Sequence, residues 1–357
     1  MGKKINITVA TGMLEMGGIA TVLNVLSRGF YDNWNMRHIT THTNHTYWFG
    51  LNKIFLFLFS IIKISYYLTF FNVGIVHIHM ASRGSYKRKS VIIRIAKLFR
   101  AKTILHLHGA EFQEFYNNEC SFKKQAHIRK TFDLADAVIV LSTQWHSWMK
   151  TIVSNPTKVH VIYNAVDALD LNRSNIDHGR ILFLGRLGER KGVKDLIDAF
   201  AIVLTEYPDS RLTLGGDGDV ATFKQQVKNL GISNNVDFLG WVAGEQKKIW
   251  LRKADVYCLP SYNEGFPMGV LEAMSANIPV VASTAGGIPD AIEDSVDGLL
   301  IEAGDVEMLA THLKTMISNR DLNVAYSASA KKKFINNFSK QAVFPELDKI
   351  YTELMSK

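Results

Sequence analysis

The sequence predicts an α/β protein built from two doubly wound domains, each with a parallel sheet between layers of helices. Three observations predict this fold class. Short apolar runs alternate with helical patterns, as in βαβ units. The alternation stops in a polar stretch near residues 165–179 and then begins again. The chain has 357 residues, a length that suits two domains.

The first half of the chain contains apolar runs of strand length. Continuous runs of this kind are typical of strands that are buried on both faces. The predicted strands are Ile5–Ala10, Ile75–His79, Thr103–His108, Ala137–Leu141 and Val159–Tyr163. The first helix is predicted over Ile19–Phe30, where apolar residues recur at helical spacing.

A long apolar segment rich in Phe covers Ile54–Val76. Its length could span a bilayer, but Asn72–Gly74 interrupts it and a strand-like run follows. We therefore predict a helix over Leu51–Phe71 and then a strand. Three environments remain open for this helix: the protein core, partial exposure to lipid, and a true membrane span.

The next predicted helix, Tyr86–Arg100, is basic and amphipathic. Its cations are Lys87, Arg88, Lys89, Arg94, Lys97 and Arg100. The helix could lie on anionic lipid with its apolar face down. Alternatively, Val91, Ile95 and Leu98 face the sheet while the cations face water.

The alternation of strands and helices resumes in the second half of the chain, which predicts a second parallel sheet. Its predicted strands are Ile181–Gly185, Arg211–Gly215, Val236–Leu239, Val256–Leu259 and Val280–Ala282.

The net charge of +8 is divided unevenly along the chain. Residues 1–164 carry 20 Lys and Arg against 7 Asp and Glu, whereas residues 165–357 carry 21 against 26. The stretch Asn33–Ala110 contains 11 basic residues and no acidic residue. Such a one-sided field favours an anionic partner, such as nucleic acid, a membrane or phosphates, over a merely solvated basic surface.

Composition limits the class of protein further. Two cysteines, Cys120 and Cys258, cannot form a disulfide framework, which favours a reducing compartment. The first apolar run is only as long as a strand, so no signal peptide is expected. A hydrophobic content of 47% excludes a disordered chain.

Two loops suit the binding of phosphate. Gly17 and Gly18 stand between the first strand and its helix, where backbone amides can approach an anion. The pattern is neither a GxGxxG fingerprint nor a P-loop. In FLGRLGERKG, Arg186 and Lys191 follow a predicted strand and suit a diphosphate, Arg186 as a planar fork and Lys191 as a point charge. Such a pair could stabilise a leaving nucleoside diphosphate without a metal.

A third loop carries two carboxylates, Glu264 and Glu272, in NEGFPMGVLEAM. We expect its helix to begin near Gly269, with Glu272 in the first turn. Carboxylates there can accept hydrogen bonds from a ribose or another polyhydroxyl group. Two carboxylates also raise the question of glycoside hydrolysis. We exclude hydrolysis, because the phosphate-type loops imply an activated donor.

Histidines and aspartates raise the question of a metal. His77 and His79, and likewise His106 and His108, are i, i+2 pairs whose side chains share one face of a strand. A zinc site is conceivable, but no cysteine lies near them, and a contact with a ligand in a cleft is the favoured role for His108. For the DxD sequence at Asp217 we predict a tight turn with Gly218 near the ligand.

Several of these motifs resemble the nucleotide-sugar domain of the family 4 glycosyltransferases, namely GRLGERKG, NEGFPMGVLEAM, FLGWV and PVVASTAGGI. In the first half the resemblance rests on MGGIATV, HIHMASRGSYKRK, HLHGAEF and VIYNAVD. It implies the GT-B fold, in which two Rossmann-like domains face across a cleft. We therefore expect an acceptor domain over residues 1–165, a nucleotide-sugar domain over residues 175–337, and a C-terminal helix over residues 340–357 that packs back on the first domain.

The resemblance also implies roles for single residues. Arg186 and Lys191 match a diphosphate-binding pair, Glu264 matches the first residue of a Glu-x7-Glu motif, and His108 matches a histidine at the donor sugar. These four residues are the expected catalytic groups. The other expected donor contacts are Gly17, Gly18, Gly218, Trp241, Val242, Gly265, Phe266, Pro267, Gly269, Val270 and Glu272.

The activity implied is retaining transfer of a sugar from a UDP- or GDP-linked donor to a glycan hydroxyl, without a metal or other cofactor. A polyprenyl-diphosphate-linked acceptor in capsule, O-antigen or exopolysaccharide assembly is expected. With the basic first half, this predicts a cytoplasmic enzyme, peripheral on the inner face of the membrane, with no nucleic-acid partner. The alternatives are a sugar-nucleotide epimerase on the same architecture and a glycosyltransferase with a soluble acceptor.

Overall fold

The computed structural model describes residues 4–15, 17–43 and 51–356. The chain forms two compact units, one of Met1–Ala165 with Val343–Lys357 and one of Val166–Ala342. Each unit contains one six-stranded sheet whose neighbouring strands are parallel. The α/β class predicted from the sequence is confirmed.

The first sheet has the strand order β2-β1-β3-β4-β5-β6. Its strands are β1 Ile5–Ala10, β2 Met36–Thr40, β3 Val73–Met80, β4 Lys102–Leu107, β5 Ala137–Val140 and β6 Val159–Val161. The helices of this half of the chain are α1 Gly18–Ser27, α2 Phe30–Asn33, α3 Leu51–Phe70, α4 Gly84–Leu98, α5 Phe112–Asn118, α6 Phe122–Asp133 and α7 Thr143–Ile152.

The second sheet has the order β12-β11-β10-β7-β8-β9. Its strands are β7 Arg180–Leu184, β8 Arg211–Gly215, β9 Val236–Gly240, β10 Val256–Leu259, β11 Val280–Ser283 and β12 Leu299–Ile301. Its helices are α8 Val193–Leu204, α9 Val220–Asn229, α10 Gly244–Lys253, α11 Met268–Ser275, α12 Ile288–Ala291, α13 Val306–Ser318 and α14 Arg320–Asn337.

The last helix, α15 (Lys340–Ser356), packs mainly on the first unit. The Phe30 ring lies 5.6 Å from the Phe344 ring and 5.1 Å from the Tyr351 ring, between ring centroids. Trp34 Nε1 donates a hydrogen bond to Asp348 Oδ1 over 2.7 Å. The buried apolar stripe of α15 therefore completes the core of the first unit.

Two strands were not predicted from the sequence, namely β2 and β12. Each lies at the edge of its sheet. In β2 only one of the five residues is buried, and β12 has only three residues. β2 was missed because polar residues interrupt it, and β12 because three apolar residues are too short a run to mark a strand.

Helix α3 is not enclosed in the core. One face packs on the first sheet through Phe57, Ile61, Ile64 and Leu68. Another row of its side chains is at least half exposed, namely Ile54, Phe55, Leu58, Phe59, Ile62, Tyr66 and Phe70. Among the described residues, α3 is the one helix long and apolar enough to cross a membrane by length and composition.

Helix α4 presents a different face to the sheet than expected. The alternative in which Val91, Ile95 and Leu98 face the sheet is wrong for Val91 and Leu98, which are 39% and 82% exposed, whereas Ile95 packs against the core. Ile92 and Ile93 are buried instead, and so is the cation Lys89. The first helix also ends earlier than predicted, because α1 stops at Ser27 and Phe30 begins α2.

Candidate active site

The loops that follow β7, β8 and β10 are joined at the C-terminal edge of the second sheet. Their strands are neighbours in the order β10-β7-β8, so the loops leave the sheet side by side. The Leu187 amide donates to the Asp217 carbonyl over 2.6 Å, and the Tyr262 amide donates to the Arg190 carbonyl over 2.9 Å. The three loops therefore form one continuous surface at the edge where α/β folds bind ligands.

Lys191 and Glu264 form an ion pair between two of these loops. Lys191 ends a short 3-10 turn, Glu189–Lys191, and its Nζ donates a hydrogen bond to Oε1 of Glu264. The same oxygen accepts a hydrogen bond from Ser261 Oγ over 2.8 Å. Only 16% of the Lys191 side chain and 6% of the Glu264 side chain are exposed. Both side chains are thus held in one orientation at the ligand-binding edge.

Arg186 lies on the same loop as Lys191 but is exposed. Within the described parts of the chain, its guanidinium has no hydrogen bond or ion pair. An exposed guanidinium can bind two phosphate oxygens at once through its planar fork of donors. The loop after β7 therefore presents one oriented cation and one solvated cation, which suits a diphosphate.

The second glutamate of the motif is held by a lysine from another helix. Lys247 of α10 donates to Oε1 of Glu272 on α11 over 2.5 Å, and the Glu272 carboxylate is largely buried. The prediction that Glu272 lies in the first turn of its helix is wrong. Because the backbone after Pro267 enters the helix at Met268, Glu272 falls in the second turn.

The loop between the two glutamates is packed against the protein. The Phe266 side chain is buried, and its ring centroid lies 5.3 Å from that of Phe338. Val270 is fully buried, and Gly265 and Pro267 are buried as well. Any ligand contact from these positions must therefore come from the backbone.

Two glycines let this surface form without a clash. A Cβ at Gly218, where φ is +117°, would lie 2.1 Å from the Leu187 carbonyl oxygen. A Cβ at Gly269 would lie 2.1 Å from the Tyr257 hydroxyl, which donates to the Leu184 carbonyl. Neither place has room for a side chain, so glycine is required at both.

The loops after β8 and β9 hold the remaining predicted residues of the second unit. Trp241 is 44% exposed, whereas Val242 beside it is buried. Asp219, the second aspartate of the DxD sequence, caps α9, since its Oδ1 accepts a hydrogen bond from the Thr222 amide over 3.3 Å. This aspartate therefore has a structural role at a helix N-terminus.

Gly17 and Gly18 begin α1 in the first unit. Gly17 is the N-cap residue, with φ of +125°, and the helix starts at Gly18. A Cβ built on either glycine would meet no described atom within 4 Å. The N-terminus of α1 is therefore open on this side, as the binding of an anion there requires.

Four histidines form a connected stack at the ends of β3 and β4. His77 Nδ1 lies 2.7 Å from the Tyr351 hydroxyl of α15, and His77 Nε2 lies 3.1 Å from His106 Nδ1. His79 Nδ1 lies 2.8 Å from His108 Nε2. Each contact needs one donor and one acceptor, so the stack couples the tautomers of the hydrogen-bonded rings.

The same stack keeps its imidazoles neutral. Burial lowers the pKa of His77 and that of His108 to about 3. It also lowers the pKa of His79 and that of His106 well below the usual value. A neutral His108 can exchange a hydrogen bond with a hydroxyl group without adding a charge to its surroundings.

Three of these histidines also satisfy a distance condition for a metal ion. Ligand atoms of His77, His79 and His106 all lie within 4.8 Å of one another. The planes of His77 and His106 differ by only 11°, and both nitrogens of His77 already have hydrogen-bond partners. A tetrahedral metal site needs convergent lone pairs, so the hydrogen-bonded stack describes these rings better.

Three residues at the sites were missed by the sequence analysis. Ser261 stands three residues before Glu264, and this short spacing could have suggested the contact. Lys247 and Tyr351 come from distant segments, and no local pattern connects them to Glu272 or His77.

Comparison with known proteins identifies the family of the chain. Residues 16–168 match the model of Glycosyltransferase Family 4, and residues 171–333 match that of Glycosyl transferases group 1. An uncharacterized glycosyltransferase of Methanocaldococcus jannaschii is 30% identical over 231 residues, covering 60% of this chain and 59% of that protein. The amylovoran biosynthesis glycosyltransferase AmsK of Erwinia amylovora is 26% identical, covering 80% of this chain and 71% of that protein.

Solved structures show the same fold. Sucrose-phosphate synthase from Thermosynechococcus elongatus has a TM-score of 0.82 at 18% identity, covering 99% of this chain and 100% of that one. HepE of Anabaena, solved with UDP and glucose, has a TM-score of 0.76 at 19% identity, covering 98% and 100%. Together, the motif-bearing loops, the two family models and the fold show that the chain belongs to family 4 of the glycosyltransferases and has the GT-B fold.

Proposed function

We propose that the protein is a retaining glycosyltransferase of surface polysaccharide biosynthesis. Its donor is a UDP- or GDP-linked sugar, and its acceptor is a hydroxyl of a polyprenyl-diphosphate-linked glycan. The observation that carries the proposal is the Lys191–Glu264 pair beside the exposed Arg186. A diphosphate needs cations and a sugar needs hydrogen-bond acceptors, and this loop surface offers both.

The relatives support two parts of this proposal, the role in polysaccharide biosynthesis and the nucleotide-linked donor. AmsK is named for the biosynthesis of amylovoran and aligns over most of this chain. The structure of HepE contains UDP and glucose, which supports a nucleotide-linked hexose as donor.

In the proposed reaction, the bond between the sugar C1 and the diphosphate oxygen breaks, and a bond from C1 to the acceptor oxygen forms on the same face. The diphosphate leaves with the electron pair and takes the acceptor proton. Arg186 and Lys191 stabilise the negative charge of the leaving group. Glu264 and Glu272 accept hydrogen bonds from sugar and ribose hydroxyls, and neutral His108 contacts the donor sugar. This scheme uses no metal or other cofactor.

A lipid-linked acceptor requires that the enzyme work at the inner face of the cell membrane. The exposed row of α3, from Ile54 to Phe70, provides an apolar contact for lipid. Helix α4 packs beside α3 and exposes Leu98 and Lys87, and the exposed Arg100 follows two residues after its end. An apolar face next to cations suits an anionic leaflet better than a nucleic-acid backbone.

A donor screen tests the proposal. UDP- and GDP-sugars are incubated with and without a polyprenyl-diphosphate glycan, and the anomeric configuration of the product is determined by NMR. We expect transfer with retention, only when acceptor is present, and at the same rate in EDTA. Conversion of the donor into another nucleotide sugar without acceptor would instead identify an epimerase. Inversion, or a loss in EDTA that Mn²⁺ restores, would overturn the scheme.

Arg186→Gln tests the donor site directly. We expect the donor KM to rise at least about tenfold, because a charge-assisted contact to the diphosphate is lost. The matched control is Arg211→Gln, since Arg211 is a partly exposed arginine at the opposite, N-terminal end of a strand in the same sheet. Equal donor KM values in the two variants would contradict the assignment.

A further inference from the structure

Lys89 is a buried cation that the proposed donor site does not use. It lies on α4, which follows β3, and it is only 2% exposed. Its Nζ donates a hydrogen bond to Thr41 Oγ1. No carboxylate in the described ranges forms an ion pair with it, and burial, with the nearby charge of Arg88, lowers the pKa of Lys89 to about 7. A basic helix that is merely solvated would direct this lysine to water.

Two more cations affect the pKa of the same histidine, His42, as Lys89 does. Arg88 is half-buried, and its Nε has no hydrogen-bond partner within residues 4–15, 17–43 and 51–356. The other cation is Lys53 of α3. Burial first, and then the charges of Arg88, Lys53 and Lys89, lower the pKa of His42 to about 4. We call Lys53, Arg88 and Lys89 the cationic cluster.

One carboxylate lies near the cationic cluster. The charge of Glu15 raises the pKa of His42, whereas the cations lower it. Glu15 also accepts a hydrogen bond from Thr43 Oγ1 over 2.5 Å. His38 in β2 also has its pKa lowered, first by burial and then by the charges of Lys89 and Lys63. Among the described residues, three cations and one carboxylate act on His42, so the cluster has an excess of positive charge.

The cluster lies where this fold binds ligands. Thr41 and His42 directly follow β2, and α4 follows β3. The chain passes from β1 to β2 on one side of β1 and then crosses to β3 on its other side. The strand order therefore reverses beside β1, and open α/β sheets bind ligands at the C-terminal strand ends next to such a switch point.

A buried ammonium without a carboxylate costs free energy unless an anion joins it. A sugar hydroxyl cannot compensate the charge, whereas a phosphate can accept hydrogen bonds from Lys89 and Arg88 together. We infer that the cationic cluster of the first unit is a binding site for a phosphate group of the acceptor, an inference that rests on the proposed transferase function and names the chemistry of its acceptor.

The test uses inorganic pyrophosphate as the probe and the whole chain as the protein. UDP is present at saturation, so that the loops of the second unit do not report on added pyrophosphate. Binding is followed by titration calorimetry and by the rise in Tm that a bound ligand produces. The variants are Lys89→Met and Arg88→Gln, and the control is Lys87→Met, which removes an exposed lysine from the same helix.

We expect wild type and Lys87→Met to bind pyrophosphate, and Lys89→Met and Arg88→Gln to bind it at least about tenfold more weakly. Without pyrophosphate, Lys89→Met should keep or raise the wild-type Tm, because an apolar side chain replaces a buried charge. Unfolding therefore cannot explain its loss of binding. Equal binding in all four proteins, or no binding in wild type, overturns the inference.

Two further measurements, with UDP and with vesicles, distinguish this inference from the proposed donor site and from binding to membrane headgroups. The affinity for UDP should be the same in all four proteins. If none of the four proteins binds UDP, the proposed donor site is contradicted, whatever the pyrophosphate result. Vesicles of phosphatidylglycerol form the last arm. If Lys89→Met weakens vesicle binding but not pyrophosphate binding, the cluster holds membrane headgroups and the inference is overturned.

Discussion

The Nζ of Lys191 donates a hydrogen bond to the Oε1 of Glu264, a residue 73 positions away in the sequence. Each residue belongs to a motif that is ambiguous by itself, one a basic turn and the other a glutamate beside a glycine loop. Because β7 and β10 are neighbours, the two turns meet and the side chains pair. The pair makes the loop after β7 and the loop after β10 parts of one site.

The importance of this pair can be tested by removing one charge. Glu264→Gln is expected to lower kcat/KM for the donor by about 100-fold or more. It should also destabilise the protein by about 3 kcal/mol, because Lys191 is left unpaired in a nearly buried position. Initial-rate kinetics and urea unfolding measure the two effects. The control is Glu245→Gln, whose partner is Lys248 and whose side chain is 75% exposed, and it should change neither quantity.

Replacing both members of the pair separates stability from activity. The double variant Lys191→Met with Glu264→Leu is expected to regain most of the lost stability, because no unpaired buried charge remains. It should stay inactive, because the polar groups for the donor are absent. Restored transfer in this variant would show that the pair has only a structural role.

The histidine stack predicts how stability depends on pH. Burial holds the pKa of His77 and His108 at about 3, whereas a histidine in the unfolded chain has a pKa of about 6.5. Between these values the unfolded chain binds more protons, so stability falls as the pH falls. The slope is about 1.4 kcal/mol per pH unit for each fully neutral histidine. Above about pH 6.5 the contribution of these histidines to stability no longer changes with pH.

Thermal unfolding at pH 7.5 and pH 5.0 measures this contribution. His79→Gln removes one of the buried groups and should lose less Tm between the two pH values than wild type does. His146 of α7 is only half-buried and provides the control His146→Gln, which should match wild type. A wild-type Tm that is equal at both pH values would contradict the neutral stack.

The close packing at Gly218 predicts that a side chain at this position lowers the free energy of unfolding. Gly218→Ala is expected to destabilise by about 3 kcal/mol, because the added Cβ would lie 2.1 Å from the Leu187 carbonyl oxygen. Gly231, just after the other end of α9, also has a positive φ but no described atom within 4 Å of its Cβ. Gly231→Ala should therefore cost only about 1 kcal/mol. Equal costs in urea unfolding would refute the close loop contact.

The proposed contact of α3 with lipid can be tested at the exposed row of this helix. Phe59→Glu is expected to weaken binding to phosphatidylglycerol vesicles at least about tenfold, because a phenyl ring that inserts into lipid is replaced by a charge. Val324→Glu makes the same kind of change at an exposed position of α14 in the second unit and should have no effect. Co-sedimentation with vesicles at several salt concentrations measures both. Equal losses in the two variants would place the membrane contact elsewhere.

Most central strands could be predicted from the sequence to within two residues, because both of their faces are buried. β10 (Val256–Leu259) coincides with its prediction, and β3 extends its prediction at both ends. The edge strands β2 and β12 could not be found in this way. Helix α4 shows the same limit, because its basic and apolar residues allow more than one face, and only packing on the sheet selects the buried one.

The sequence alone determined the ten strands other than β2 and β12, the family, and the loops that carry the site, because periodicity and glycine-rich turns are local properties of the chain. Only the tertiary structure decided which charges meet. The order of the parallel strands joins Lys191 to Glu264 and Lys247 to Glu272, and the packing of α4 turns Lys89 inward to Thr41. Ion pairing and burial depend on distances between remote segments, and no local pattern in the chain encodes those distances.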